Sequence, residues 1–533
     1  MHVVDLFCGA GGFSEGILQA GFHIVFSSDR SAHVKETYEN RHRQLGLVQG
    51  DNTHFELADI RDLTGEIIFS RINNLNFFRE NHLTEIDAIF GGPPCQGFSI
   101  AGRRDRDDPR NTLFREYLRI ISEVNPKYVV IENVEGLMSM ELNDGFESVS
   151  GVVYPDRTRV AEVLESELTH FGYHIEQPRI LNASHYGVPQ RRTRAIFIAS
   201  RHDVVPARYP EPTTPELDER VTVFEALGDL GTNMEPSAYA ESLRNGRTPH
   251  FITRTPVANL NRILNNEKSS HSSVISERFS LFREGESAKN LETRIALNGL
   301  NLIDYPNLLN ECLFVANKES NRETLRVLLE NIAPEFLGEN EVDQKRFNKL
   351  YRVLWKLYLS EEENFTKLAN KTAKEFGISA EDLNVILEDC VNSWNTHMTR
   401  EQMLDFFLNN QAVTSNPLLM EALLTKKNTR SRLDSQGVAP TMLTLPDDFI
   451  HPFEDRILTV REMARIQSFD DSFEFIGKRT TGGDRRRDEV PQYTQVGNAV
   501  PPLLAFAIAT EIRRALEETN ALTGSGTEQN QLI

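Results

Sequence analysis

Val3-Val4-Asp5-Leu6-Phe7-Cys8-Gly9-Ala10-Gly11-Gly12-Phe13-Ser14 runs from an apolar stretch into a glycine turn and then into an amphipathic stretch. The mostly apolar run Val3 to Phe7 predicts a strand, and Phe13 to Ala20 predicts a helix closed by Gly21. Glycines at the join let backbone approach a ligand, and a helix N-terminus favours negative charge. His23 to Ser28 predicts a second strand that ends at Asp29. A carboxylate there, about 20 residues past the turn, is placed to bind ribose hydroxyls. The combination points to a nucleoside cofactor. NAD stays open at this point, although position 14 is Ser where the dinucleotide fingerprint wants Gly or Ala.

Working outward, Asp87 to Phe90, Tyr128 to Ile131 and Ala195 to Ala199 predict further strands. Thr112 to Val124 and Arg159 to Phe171 predict helices between them, so residues 1–205 read as a mostly parallel, doubly wound α/β sheet. A chain of 533 residues exceeds one core, and two or more domains are expected. Prolines 206, 210, 212 and 215 mark a linker into irregular structure. Residues 304–425 read as helical, and Thr372 to Leu387 fits a plain bundle better than a helix-turn-helix. Thr441 to Leu445 reads as a strand, Arg461 to Ser468 and Val500 to Leu516 as helices, and 517–533 as a disordered tail.

The formal charge of −20 argues against a nucleic-acid partner unless basic residues are gathered locally. They are: Arg103-Arg104-Asp105-Arg106 with Arg110, Gln190-Arg191-Arg192-Thr193-Arg194, and Lys478-Arg479 with Arg485-Arg486-Arg487. Four cysteines with no Cys-x-x-Cys pair predict a reducing compartment and no metal site. The first strand begins so early that no signal peptide is expected, and no apolar run reaches membrane-spanning length.

Gly92-Pro93-Pro94-Cys95-Gln96-Gly97-Phe98-Ser99 follows the apolar run Ile86 to Phe90. It puts one cysteine on a stiff turn at a strand's carboxyl end, where open α/β sheets bind ligands. Such a thiol is a candidate nucleophile; a buried inert cysteine is the bland alternative. Val129-Val130-Ile131-Glu132-Asn133-Val134 carries a carboxyl group at the end of an apolar strand, which is costly unless functional, paired or capping. Arg192 and Arg194 alternate in extended chain, so both are expected on one side, converging on one site.

Together these segments resemble the DNA (cytosine-5)-methyltransferase family of prokaryotic type. Asp5 to Ser14 is similar to the family's first motif, Pro93-Pro94-Cys95-Gln96 to the catalytic motif, Glu132-Asn133-Val134 to the glutamate motif and Gln190 to Arg194 to the basic motif. Arg461 to Phe469 and Gln495-Val496-Gly497-Asn498 are similar to the last two, in family order. The resemblance covers 1–205 and 428–515. It implies a Rossmann-like S-adenosylmethionine-dependent methyltransferase sheet with a second, target-recognition domain carrying a large helical insertion. The implied boundaries are 1–205 catalytic and cofactor-binding, 206–455 target recognition with the insertion at about 304–425, and 456–516 late motifs returning to the catalytic domain.

The resemblance further implies that Cys95 is the nucleophile and that Glu132 contacts the ring N3 and amine of a flipped cytosine. Arg194 would bind O2 with Arg192 in support. For the cofactor it implies Phe7, Gly9, Gly11, Asp29, Asp59, Ile60, Pro94, Asn498 and Val500, and for DNA Gln96, Ser99, Arg103 and Arg104, within a lid at 96–110. The cofactor is S-adenosyl-L-methionine; no metal is implied. Expected partners are double-stranded DNA and a cognate restriction endonuclease, with a monomeric enzyme acting in the cytoplasm on the nucleoid. Sequence reading is expected somewhere in 250–430. An RNA cytosine-5 methyltransferase of the same fold, or a catalytically silent DNA-binding relative, remain as alternatives; the long variable region argues against the first, the presence of Cys95, Glu132 and Arg194 against the second.

Overall fold

A computed structural model describes residues 1–94, 113–258, 262–338, 340–358, 362–395, 397–409, 417–425, 429–481 and 489–529. Strands β1 (His2–Leu6), β2 (His23–Asp29), β3 (His54–Leu57), β4 (Ala88–Gly91) and β5 (Tyr128–Val134) are parallel neighbours in the order β3-β2-β1-β4-β5. The Thr193–Arg201 strand then pairs antiparallel with β5, and Tyr173–Ile175 and Arg179–Asn182 pair with it in turn. The fold class is the expected α/β, with an antiparallel edge.

Helices α1 (Gly12–Gln19), α2 (Ala32–Gln44), α3 (Gly65–Asn73), α4 (Leu113–Val124) and α5 (Val160–His170) pack around this sheet. Successive strand residues face opposite sides, so each strand feeds two cores. Val4, Leu6, Val129 and Ile131 join Ile68, Phe114 and Leu164 on one face. Val3, Tyr128 and Val130 join Ile17 of α1 and Ile508 and Ile512 of the last helix on the other. Burial on both faces is why these strands read as continuous apolar runs. The order reverses between β1 and β4, and the crevice at their carboxyl ends is where such sheets bind ligands.

Several elements differ from the sequence expectation. Helix α2 was not anticipated, because its text is polar; its Arg41 is nonetheless 2 % exposed. Thr441 to Leu445 forms no strand. The Met442 N–H instead donates to Gln190 Oε1 at 2.6 Å, a side-chain partner that a pattern of alternation does not reveal. The last helix runs Pro502–Gln529, past the expected end at 516.

The chain divides into two compact units, one of Met1–Lys268, Asp434–Pro446 and Leu458–Ile533, the other of Ser269–Leu433 and Asp447–Ile457. The second unit is mostly helical and has two cores. Phe279, Leu291, Leu309, Phe407 and Leu423 centre one. Phe347, Leu354, Phe376, Leu383 and Ile386 centre the other, so the helices Glu362–Phe376 and Ala380–Ser393 belong to a bundle. Among the described residues no helix is long and apolar enough to cross a membrane, and no group of His, Cys, Asp or Glu could hold a metal ion.

Candidate active site

Sheet register brings Glu132 and Arg194 together. Ile196 lies opposite Glu132 and Arg194 opposite Val134, so Arg194 is the diagonal neighbour of Glu132 on one face. Arg194 Nε meets Glu132 Oε1 at 2.7 Å, with the two side chains 11% and 12% exposed. Arg194 also donates from Nη1 to the Thr193 carbonyl at 2.7 Å. A carboxylate this deeply buried requires such a partner.

The Gly92-Pro93-Pro94 turn lies against the same carboxylate. A Cβ on Gly92 would stand 2.8 Å from Glu132 Oε2, too close for any side chain without displacing that oxygen. Asn133 Nδ2 donates to the Pro93 carbonyl at 2.9 Å and ties the turn to β5. Gly92 and Asn133 are not among the expected site residues; their sequence signal is their closeness to Cys95 and Glu132 in the two quoted motifs. Cys95, Gln96, Ser99, Arg103 and Arg104, with the rest of the expected lid at 96–110, lie outside the described residues.

Arg192 does not share the partner of Arg194. Its side chain is buried and donates to the carbonyls of Met442 at 3.2 Å and Gly497 at 3.0 Å. Arg192 precedes the strand, which starts at Thr193, so its hydrogen bonds go to these carbonyls, while Arg194 and Glu132 lie near enough to act on its charge. Gln190 donates to Gln467 Oε1 at 2.8 Å, and Gln467 donates to the Val496 carbonyl at 2.8 Å. The basic motif therefore clamps both late motifs, a role with no signal in the isolated segment.

The glycine turn has the backbone of a ligand cradle. Phe7, Gly9 and Gly11 have φ of 56, 53 and 99°, and no atom lies within 4 Å of a notional Gly9 Cβ. Helix α1 starts after Gly11 with no side-chain cap, leaving its first N–H groups for an anion. Asp29 accepts from the Gly9 N–H at 3.1 Å and the Ser31 N–H at 2.8 Å, and burial pushes its carboxyl up. Asp5 is 1% exposed; burial raises it to about 7 although Ser14 Oγ donates to Oδ2 at 2.5 Å, and Oδ1 has no hydrogen-bond partner. An acid inside an apolar run was the available signal for Asp5. Burial also pushes the Cys8 thiol well up, which makes it inert.

The remaining expected cofactor residues are disposed unevenly. Val500 reaches the turn: a Cβ on Gly12 would lie 2.4 Å from its carbonyl oxygen. Asn498 is exposed at the end of the Gln492–Asn498 helix, and Pro94 is half-buried. Asp59 is engaged by Arg61, with Nε to Oδ1 and Nη2 to Oδ2 both at 2.8 Å, and this hydrogen bonding holds its carboxyl down at about 2. Ile60 is buried among apolar residues beside α3 and α4. The left-handed turn, the uncapped helix start, the orphaned Asp5 oxygen and the buried Asp29 fit an adenosyl-amino-acid cofactor, which brings hydroxyls, a carboxylate and an amine.

The late motif is anchored by buried charge. Arg465 makes a forked pair with Asp471 at 2.9 and 2.6 Å and reaches Asp229 at 2.5 Å. Arg41 makes a second fork with Glu15 at 2.8 and 2.7 Å, and Thr248 Oγ1 donates to the same Glu15 at 2.6 Å. Asp470 accepts from Arg247 Nε at 2.7 Å, and Arg461 Nη1 donates to the Asp470 carbonyl at 2.9 Å. Forked guanidinium–carboxylate pairs satisfy most donors in place, which a buried charge needs.

The family model described as C-5 cytosine-specific DNA methylase matches residues 1–514. Among similar proteins, the type II methyltransferase M.DdeI of Desulfomicrobium norvegicum is 26% identical over 536 residues, covering 100% of this chain and 93% of that protein. The type II methyltransferase M.AgeI of Thalassovita gelatinovora is 26% identical over 546 residues, covering 97% and 100%. A solved structure of a prophage-encoded DNA modification methyltransferase from E. coli superimposes with a TM-score of 0.52 at 20% identity, covering 97% of this chain and 99% of that one, a likeness of fold. The chain belongs to the C-5 cytosine-specific DNA methylase family and is a DNA (cytosine-5)-methyltransferase that uses S-adenosylmethionine.

Proposed function

We propose that the enzyme methylates cytosine within a specific duplex sequence by flipping the base and attacking it with Cys95. The observation that carries this reading is the buried Glu132–Arg194 pair, set against the Gly92-Pro93-Pro94 turn that leads in sequence to Cys95. A paired base conceals its ring carbons, so the target leaves the stack. The Cys95 thiolate forms a bond to carbon 6 and the ring π pair moves to carbon 5. Glu132 protonates or hydrogen-bonds N3, and Arg194 donates to O2, so the added charge is spread. When bound, S-adenosylmethionine would supply an electrophilic methyl group to carbon 5, the sulfonium S–CH3 bond breaking to leave a neutral thioether. Removal of the carbon 5 proton by a base then restores the double bond and expels the Cys95 thiolate.

In this reading Asp29 holds ribose hydroxyls, the Gly9–Gly11 turn and Val500 hold the methionine part, and Phe7, Ile60, Pro94 and Asn498 complete the cofactor's surroundings. Asp59 meets the adenine amine while keeping Arg61 on its other lone pairs. Gln96, Ser99, Arg103 and Arg104 contact DNA. Arg192 supports the site by holding Gly497 in place. The enzyme works as a monomer in the cytoplasm, beside a restriction endonuclease that cuts the same sequence; the two type II methyltransferase relatives support that pairing.

The test is a duplex carrying 5-fluorocytosine at target positions, incubated with enzyme and methyl donor. Because fluorine cannot leave as a cation, the adduct is trapped. A denaturation-resistant conjugate mapping to Cys95, absent in Cys95→Ser, is the expected result. No conjugate with the unaltered enzyme on methylatable sequence overturns the covalent reading.

A further inference from the structure

The helices Glu341–Tyr358 and Glu362–Phe376 in the second unit share one core, through Phe347, Leu350 and Leu354 from the first and Ala369, Ala373 and Phe376 from the second. At 3.6 residues per turn, Lys345, Lys349, Arg352 and Lys356 fall on the side of the first helix opposite its core residues. Lys367, Lys371 and Lys374 fall on the corresponding side of the second. All of these side chains are exposed. Lys349 pairs with Glu375 across the helix–helix boundary, so the two stripes adjoin on one surface. A second acid, Glu341, meets Lys345 at 2.6 Å.

Such a surface runs against the composition of a chain with formal charge −20. Solvation alone needs charges of either sign in balance, whereas here seven bases stand together with Glu341 and Glu375 paired to two of them. We propose that this helix pair holds the phosphate backbone of duplex DNA, as a docking surface separate from the cytosine pocket. The inference rests on the DNA-methylating activity of the chain. Charge complementarity selects the partner, and spacing agrees: Lys345 to Lys356 spans roughly 16 Å at 1.5 Å per residue, which is about five base-pair steps of a duplex. Lysine and arginine on phosphates position a duplex without reading its sequence. The surface therefore adds affinity equally for all sequences.

The experiment compares the full-length enzyme with a triple variant, Lys367→Gln, Lys371→Gln and Lys374→Gln, and with a second, Lys345→Gln, Arg352→Gln and Lys356→Gln. Glutamine keeps nearly the same helix propensity, so both variants are expected to fold. On a duplex several helical turns long, the slope of log affinity against log salt should fall by about 0.9 for each phosphate contact removed. KM for that duplex should rise roughly tenfold at low salt, with kcat and S-adenosylmethionine affinity unchanged. Unchanged slope and KM in both variants, or a loss confined to the target sequence, overturns the proposal. Absence of methyl transfer by the unaltered enzyme would instead count against the activity itself, so the two failures are distinct.

Discussion

Gly92 is a glycine because of what stands beside it. A methyl group at that position would press on Glu132 Oε2 at 2.8 Å, and the far end of a carboxylate side chain can yield. The fold would survive while the carboxylate turned away from its place. Gly92→Ala is therefore expected to lower kcat for methyl transfer by roughly 10–100-fold, with cofactor affinity and melting temperature little changed. Single-turnover kinetics, isothermal titration with S-adenosylmethionine and thermal melts check this; an unaltered kcat would remove Gly92 from the account. At the same scale, Arg192 and Arg194 show how neighbours diverge. One lies in the ladder and meets Glu132; the other precedes it and meets the carbonyls of Met442 and Gly497.

Helix α1 and the last helix, Pro502–Gln529, approach so closely that Gly16 has no room for a side chain. A Cβ there would stand 2.3 Å from the Phe506 nitrogen and 2.5 Å from the Ala505 Cβ. Backbone cannot yield as a side-chain tip can. Helix propensity alone favours alanine over glycine by about 1 kcal/mol, yet overpacking costs typically ~1–3 kcal/mol. Gly16→Ala should accordingly destabilise the protein, lowering the midpoint of chemical unfolding; an unchanged or raised midpoint would show that the helices can separate freely. The consequence reaches function, since Val500 meets Gly12 on the same helix. Element α2 carries the converse lesson. It is polar in text because its inward face holds Arg41, which finds Glu15 on α1.

Across the molecule, buried titratable groups set the response to acid. His2 and His23 are lowered to about 4 and His42 to about 3, in each case chiefly by burial. The folded state keeps them neutral, whereas an unfolded histidine takes a proton near pH 6.5. Between those values the unfolded chain binds more protons, so stability falls as pH falls from about 6.5 toward 4. For the fully buried His42 the slope is at most about 1.4 kcal/mol per pH unit. Melts from pH 7.5 to 4.5 should show a declining midpoint that His42→Gln makes shallower; equal slopes for both proteins would discount the histidine. Beyond their forks, Arg41 donates to Ser472 Oγ at 3.0 Å and Arg465 to Asp229 at 2.5 Å, and these contacts tie the late motif to earlier parts of the chain in the same unit.

By itself the sequence determined the alternation of strand, turn and helix over 1–205, the order of the motifs and the family they belong to. Those features are local: apolar runs, glycine turns and short polar signatures each lie within about ten residues. It left hidden that Arg194 pairs with Glu132, that a side chain at Gly92 would press on Glu132 and that Gln190 and Arg192 hold the late motifs. Nor did it reveal the buried carboxylate–arginine forks or a basic stripe shared by two helices. These belong to the tertiary structure, because each depends on which strands are neighbours, in what register, and on packing between segments far apart in the chain. A charged side chain reads as surface until its partner is brought to it.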